Sequence, residues 1–150
     1  MTERPGRRSR WLRDDYLPYL LASAAYHVAG RFHAGLRRHD LSVLTWRVLA
    51  TLADGRGYAI HELCDRCLAK QPTVSKLLDR LEAQRLVRRR RDPDDGRIVV
   101  VELTDAGRRR IAPVLAEAQA YDRSITVGTS SAQLRQLKAL LRELIERHRS

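Results

Sequence analysis

The chain has 150 residues, with 29 Lys and Arg against 18 Asp and Glu, and therefore a formal net charge of +11. This length predicts a single domain over 1–150. The positive charge favours a polyanionic partner over an acidic small substrate, and among polyanions it favours nucleic acid over an anionic membrane surface. No stretch approaches the roughly 18 apolar residues of a membrane span, and the N-terminus MTERPGRRSRW lacks the apolar segment of a secretory signal, so we expect a cytoplasmic protein with no membrane partner.

The first predicted element is a long helix from Asp15 to about Arg37. Pro18 falls in its first turn, where backbone N–H groups lack helical partners in any case, so the proline is tolerated. Projected at about 100° per residue, the helix has two distinct stripes. One carries tyrosines and His33, and the other is an apolar stripe suited to packing: Leu17, Leu21, Ala24, Ala25, Val28, Phe32 and Leu36.

A helix-turn-helix arrangement is predicted next. Ser42 is placed to cap a helix that ends at the Asp54-Gly55 turn signal. A short helix follows over roughly His61 to Leu68, and Pro72 marks the start of another, PTVSKLLDRLEAQ. Apolar residues recur at helical spacing in this last helix and predict a face that packs on the core: Val74, Leu77, Leu78 and Leu81.

The stretch RLVRRRRDPDDGRIVVVELT, residues 85–104, predicts a two-stranded β-hairpin. Its first strand contains four consecutive arginines, residues 88–91, and its tip is the turn-forming segment 92–96. In the return strand, alternation predicts that Val99, Val101 and Leu103 point to one side. The hairpin therefore combines a concentrated positive charge with a half-buried strand.

Two further helices are predicted after the hairpin. Thr104 is placed to cap the first, which runs past Pro113, where we expect a kink, to around Tyr121. The segment VGTSS separates it from a last helix that begins near Ser131 and carries a seam for packing against another helix: Leu134, Leu137, Leu141, Leu144 and His148.

The apolar stripes at both ends of the chain predict an obligate homodimer. A helix-turn-helix lobe of about 42–104 is too small to cover both stripes, so we expect residues 15–37 and 105–148 to form the dimer contact. The fold class that follows is mainly α, with a winged helix-turn-helix lobe that has a two-stranded β wing, and with N- and C-terminal dimerisation helices.

A winged helix has a defined way of binding duplex DNA. Its second helix enters the major groove, while the hairpin lies along the backbone and its tip reaches the narrow minor groove. Arg97 is placed for the minor groove, with Asp95 able to hold its guanidinium. The predicted DNA-binding residues are Gln71, Thr73, Ser75, Lys76 and Arg80 on the helix and Arg88, Arg90, Arg91, Asp95 and Arg97 on the hairpin.

Two segments carry a specific resemblance, LSVLTWRVLATL and QPTVSKLLDRLEAQRLVRRRRDPDDGRIVVVELTDAG. Over about residues 15–148 the chain resembles the MarR family of bacterial transcription regulators, including the wing signature DxR…LT..G at Asp95, Arg97, Leu103, Thr104 and Gly107. The resemblance implies a homodimer with interlocking terminal helices, two lobes that bind a pseudo-palindromic operator, and repression released by a small effector. Arg85 departs from the family, which usually has glycine there. Either the helix ends differently, or Arg85 accepts a left-handed conformation at a cost of roughly 1 kcal/mol and gains a phosphate contact.

The resemblance also implies an effector pocket between the dimerising helices and the lobe. An aromatic floor and a cation suited to an aromatic carboxylate or a phenol would come from Trp11, Tyr16, Tyr19, His27, Trp46 and Arg47. The alternative is that the tyrosines simply pack in the dimer contact, with their hydroxyls satisfied by neighbours.

Other readings of the sequence are less favoured. His61, Cys64 and Cys67 have the ligand types of a zinc or redox site, but one short helix spreads them over a wide arc, so we expect reduced thiols, no metal and no cofactor. We expect no enzyme, since the serines lie in capping or DNA-facing contexts and the acidic residues of the hairpin lie on an exposed turn. The alternative function is a sequence-tolerant architectural nucleic-acid-binding protein without an effector.

Overall fold

The order of elements is α1 (Leu17–Gly35), a 3-10 helix (Leu36–His39), α2 (Val43–Leu52), β1 (Tyr58–Ala59), α3 (Ile60–Cys67), α4 (Gln71–Ala83), β2 (Val87–Arg91), β3 (Val99–Leu103), α5 (Asp105–Ile125) and α6 (Ser131–Arg147). This computed structural model describes Trp11 and residues 14–149. The chain divides into two compact units, Met1–Ala116 and Glu117–Ser150. The expectation that no secretory signal is present concerns residues that mostly lie outside the described ones.

The helix signals in the sequence are confirmed at most boundaries. The Ser42 hydroxyl caps α2 by accepting the Thr45 N–H at 3.1 Å, and Pro18 lies in the first turn of α1. Three helix boundaries differ from prediction. The α-helical part of α1 begins at Leu17 rather than Asp15 and ends at Gly35, where the chain continues as the 3-10 helix. Helix α5 reaches Ile125, beyond Tyr121, because no glycine or proline lies between Pro113 and Gly128 to stop it.

The predicted hairpin is confirmed, and a third strand that sequence reasoning missed pairs with it. The antiparallel sheet has the order β1-β3-β2, with Ala59 opposite Val100 and Arg89 opposite Val101. Because β1 and the lobe cover this part of β3, Val100 and Val101 are both buried. The three residues predicted to point to one side differ in burial: Val101 and Leu103 are buried, whereas Val99, which pairs with Arg91 at the tip end of the hairpin, beyond β1, is exposed.

One apolar core joins the helix-turn-helix, the sheet and the first half of α5. Burial of these side chains from water is the main source of stability for the lobe. The predicted face of α4 is part of it, which turns the opposite face of α4 outwards. The core includes Leu36, Leu49, Leu52, Leu63, Val74, Leu78, Val101, Leu103, Ile111 and Val114.

The second unit contains the end of α5 and all of α6. Ser130 caps α6 by accepting the Gln133 N–H at 3.2 Å, as the sequence predicts for a helix that starts near Ser131. No residue of α6 is buried in the single chain, and Leu137, Leu140 and Ile145 are more than half exposed. This helix therefore presents apolar surface that a single chain leaves in contact with water.

Candidate nucleic-acid interface

The outward face of α4 forms a basic groove. This groove has a volume of about 550 Å³ and is lined by Pro72, Thr73, Lys76, Asp79 and Arg80. Three of the five residues predicted on this helix, Thr73, Lys76 and Arg80, therefore lie together, and Gln71 is exposed at the helix start. Ser75 is half-buried, so it is the least accessible member of the predicted set.

The end of α4 is fixed by a left-handed residue that is not glycine. Arg85 has a φ of 57°, its N–H donates to the Glu82 carbonyl at 2.8 Å, and the Leu86 N–H donates to the Leu81 carbonyl at 2.9 Å. These two bonds form a Schellman motif, which terminates a helix and turns the chain. Of the two alternatives for Arg85, the left-handed conformation is the one adopted.

Thr104 and Gly107 explain the LT..G part of the wing signature. The Thr104 hydroxyl donates to the Arg85 carbonyl at 2.6 Å and accepts the Gly107 N–H at 3.0 Å, so one side chain caps α5 and holds the turn after α4. Gly107 is buried directly against the Leu86 carbonyl, where a Cβ atom would overlap with the oxygen. The signature thus fastens α5 to the connection between the wing and α4, which is the second, or recognition, helix of the helix-turn-helix.

On one face of the wing, an acidic residue lies between two of the arginines. Arg88 Nη2 donates to Glu102 Oε2 at 3.1 Å, and Arg90 Nε donates to Glu102 Oε1 at 2.6 Å. Burial alone would raise the pKa of Glu102, but the hydrogen bonds from Arg90 and Arg88 outweigh it and lower the pKa. Glu102 is therefore ionised at neutral pH and cancels part of the positive charge of Arg88 and Arg90.

Arg89, which lies between Arg88 and Arg90 in the sequence, points to the other face of the hairpin. Arg89 donates to Asp79 and Glu82 of α4 and is mostly covered, with 26% of its side chain exposed. Arg89 was not among the DNA-binding residues predicted from the sequence. The period-2 alternation of a strand was the available signal, since it sets Arg89 on the opposite face from Arg88 and Arg90.

The wing tip presents one arginine to the solvent in a fixed orientation. Arg97 Nε donates to Asp95 Oδ1 at 3.1 Å, and the backbone N–H of Arg97 donates to the same oxygen at 3.1 Å. These bonds lower the pKa of Asp95, so the carboxylate stays charged. The predicted Asp95–Arg97 pair is present, with 93% of the Arg97 side chain exposed. A further hydrogen bond stabilises the tip, since Arg91 Nη1 donates to the Gly96 carbonyl at 2.7 Å.

The six predicted effector residues fall into separate contacts. Trp11 lies 5.3 Å from Tyr16 between ring centroids, and Trp46 packs on Phe32 at 5.1 Å. Tyr19 and His27 are exposed on α1. A cavity of about 360 Å³ lies elsewhere, between the start of α2 and the end of α4, and none of the six lines it; its lining is Asp40, Leu41, Ser42, Thr45, Leu77, Arg80, Leu81, Gln84, Leu86 and Arg110.

Arg47, which the sequence predicts as the cation of an effector pocket, makes a hydrogen bond to the backbone of α3. Its Nη1 donates to the Cys67 carbonyl at 3.2 Å, at the end of α3, where Leu68 adopts a left-handed conformation. Burial, followed by the charge of Arg47, lowers the pKa of His33 on α1. Arg47 thus connects the surroundings of α1 to the turn of the helix-turn-helix.

The two cysteines lack the environment of reactive thiols. Burial raises the pKa of Cys64 and of Cys67, and both are free. A raised pKa reduces the thiolate that would bind metal or react with an oxidant. Within Trp11 and residues 14–149, no cluster of three or more His, Cys, Asp or Glu side chains is arranged to hold a metal ion.

The fold and the basic surface together define a class of protein. A helix-turn-helix with an exposed basic groove on its second helix, followed by an arginine-tipped β wing, is the arrangement of winged helix DNA-binding proteins. Among the described residues, no helix is long and apolar enough to cross a bilayer.

Comparisons with known proteins identify the family. The profile of the MarR family matches residues 39–98. The MarR family transcriptional regulator SPO1453 from Silicibacter pomeroyi DSS-3 has a crystal structure with a TM-score of 0.75 and 32% identity, covering 88% of this chain and 94% of that one. The chain belongs to the MarR family of DNA-binding transcription regulators, which confirms the resemblance read from the sequence.

Two further relatives are associated with aromatic acids by name. The homoprotocatechuate degradative operon repressor of Escherichia coli is 27% identical over 131 residues, 87% of this chain and 88% of the repressor. The crystal structure of NadR in complex with 4-hydroxyphenylacetate has 25% identity and a TM-score of 0.76, covering 83% of this chain and 88% of NadR.

Proposed function

We propose that the protein is a sequence-specific repressor that binds a pseudo-palindromic operator as a homodimer. The observation that carries this proposal is the Arg97 guanidinium, held by Asp95 at the wing tip and almost fully exposed. A preoriented arginine gains most from a narrow minor groove, where the negative potential is strongest. The groove of α4 supplies the second element of recognition, with Thr73, Lys76 and Arg80 available to base edges and phosphates.

The homodimer is supported by the exposed apolar side chains of both terminal helices. Leu17, Leu20 and Val28 of α1 are exposed, as are Leu137 and Ile145 of α6. Large apolar side chains left exposed on each of these helices favour a contact with another chain. Two copies of the lobe would then meet two half-sites, which matches a palindromic operator.

Replacing Arg97 by alanine should weaken operator binding most where the flanks of the site are A·T-rich. The narrow groove of such flanks attracts an inserted guanidinium, whereas a wider G·C-rich groove does so less. Asp95→Ala should reproduce part of the loss, because it frees the guanidinium without removing it. Operator affinity is measured for both variants with each type of flank at several salt concentrations.

The matched control for Arg97→Ala is Arg56→Ala, which removes an exposed, carboxylate-paired arginine outside the wing. It should change affinity equally, and only slightly, on every flank. An Arg97→Ala loss that is the same on all flanks would contradict minor-groove insertion and make Arg97 a simple phosphate contact.

We also propose that a small aromatic carboxylate or phenol releases the repressor from DNA, with Trp11, Tyr16, Tyr19, His27, Trp46 and Arg47 as the residues that respond to it. Support comes from the aromatic acids named with the homoprotocatechuate repressor and NadR, and from the position of Arg47. A ligand carboxylate that attracts Arg47 competes with the Cys67 carbonyl and so acts on the turn before α4. A ligand can shift the DNA-binding state only by its differential affinity for the two states.

A panel of aromatic carboxylates and phenols should include compounds that both stabilise the protein thermally and weaken operator binding. In Arg47→Gln, the carboxylates should lose their effect on DNA binding because the cation is gone. The control is Arg37→Gln, which removes an exposed arginine of the 3-10 helix that follows α1. Compounds that stabilise the protein yet never change DNA affinity would contradict the effector proposal.

A further inference from the structure

Arg89 is the member of the arginine run that bonds outside the hairpin. Its Nη2 donates to Asp79 Oδ1 at 2.7 Å, its Nη1 donates to Glu82 Oε2, and its backbone N–H donates to Glu82 Oε1 at 3.1 Å. In contrast, the side-chain bonds of its three neighbours in the run end within the hairpin itself, on Glu102, the Arg91 carbonyl and the Gly96 carbonyl. Through Arg89, the wing is therefore tied directly to the recognition helix.

In the absence of DNA, the Arg89 guanidinium is already paired with two carboxylates of α4. Asp79 and Glu82 are three residues apart and lie on one side of α4, and Asp79 also borders the basic groove. Burial would lower the pKa of Arg89, but the hydrogen bonds and charges of the two carboxylates outweigh it and raise the pKa. A guanidinium that already binds two carboxylates has little attraction left for a phosphate.

The junction also matters geometrically. A winged helix places α4 in a major groove and the wing tip in a minor groove, and both must be in register at once. The planar guanidinium of Arg89 spans two carboxylates in a fixed geometry. A lysine at this position would keep the positive charge but lose that geometry, because its ammonium group is a flexible point charge.

We propose that Arg89 is a positioning residue, which holds the wing at a fixed spacing from the recognition helix and thereby sets preference for the operator over other DNA. The inference rests on the proposed sequence-specific function. On this proposal, Arg89 positions the wing, and the other three arginines of residues 88–91 supply attraction to the DNA backbone. Glu102 reduces the contribution of Arg88 and Arg90 because it pairs with both.

The sharpest test removes the two carboxylates and keeps Arg89. The double variant Asp79→Ala/Glu82→Ala raises the net charge by two per chain and releases the guanidinium. If Arg89 positions the wing, affinity for random DNA should rise or stay constant while the ratio of operator to random affinity falls at least about tenfold, comparable to one mismatched base pair. A purely electrostatic role predicts tighter binding to both DNAs with an unchanged ratio, and that result would overturn the proposal.

A charge-preserving pair of variants gives an independent readout. Arg89→Lys should lower the operator preference without changing the slope of log affinity against log salt, because the positive charge is retained. Arg56→Lys is the matched control, because it makes the same exchange at an exposed, carboxylate-paired arginine outside the wing, and it should leave the preference unchanged. Equal preference in Arg89→Lys and Arg56→Lys would also contradict positioning.

The two possible failures are distinguishable in the same assay. A wild-type protein with no operator preference would contradict the proposed function, whereas a wild-type preference that the double variant keeps would contradict only the role of Arg89. Folding is checked by urea unfolding, and the double variant should stay folded because Asp79 and Glu82 lie on the surface of a helix in which alanine is favoured.

Discussion

Replacing Gly107 by alanine is expected to destabilise the winged lobe by at least about 4 kcal/mol, at the upper end of what single substitutions do. The added Cβ would overlap with the Leu86 carbonyl oxygen and lie 2.8 Å from a methyl group of Leu103. Rotation of a side chain cannot remove this overlap, because the Leu86 carbonyl belongs to the backbone and accepts the Thr104 N–H at 3.1 Å. Either α5 moves away from the sheet or the helix cap at Thr104 is lost.

Urea unfolding of purified Gly107→Ala and wild type measures this effect. Gly96→Ala is the matched control, since a Cβ at the wing tip meets nothing within 4 Å. It should change the free energy of unfolding by less than about 1 kcal/mol. A Gly107→Ala protein as stable as the wild type would contradict the close packing of α5 on the connection between α4 and β2.

The second large effect is expected from placing charge on the apolar surface of α6. Leu137→Glu/Leu141→Glu should dissociate the proposed dimer, because unpaired carboxylates buried in a contact between chains cost several kcal/mol each. A monomer holds one half-site at a time, so operator affinity should fall by about 100-fold or more through the loss of bivalent binding. Leu137 is 52% exposed in the single chain, which leaves room for glutamate in the folded monomer.

Sedimentation and operator binding of the same preparation measure the two consequences together. Gln136→Glu is the control, because it adds a carboxylate at an exposed polar position of the same helix. It should leave the dimer intact and weaken binding only slightly. A Leu137→Glu/Leu141→Glu protein that is monomeric and still binds the operator with wild-type affinity would contradict the need for two lobes.

The parts of the fold that follow from local patterns were predictable from the sequence. The caps at Ser42 and Thr104 and the proline at the start of α4 each act within a few residues, so their structural consequences were predicted correctly. The pairing of Asp95 with Arg97 was predictable for the same reason, since only two residues separate them.

Features that depend on distant residues were not predictable in the same way. The strand β1 has only two residues and forms because β3 offers it a partner some forty residues later in the chain. Arg89 looks like its neighbours in the sequence, and its different role follows from the approach of α4 to β2. The contacts of Arg47 with the end of α3 likewise require the packed lobe.

Selection of bound fragments from a random DNA library by the wild-type protein distinguishes a sequence-specific regulator from a sequence-tolerant one. A sequence-specific homodimer should enrich a pseudo-palindrome whose two half-sites are centred about one helical turn, or a multiple of it, apart. The enriched site should be bound at least about 1,000-fold more tightly than random DNA at the same salt concentration. A bound pool without a shared sequence, and equal affinity for all duplexes, would contradict specific regulation and identify a sequence-tolerant architectural protein instead.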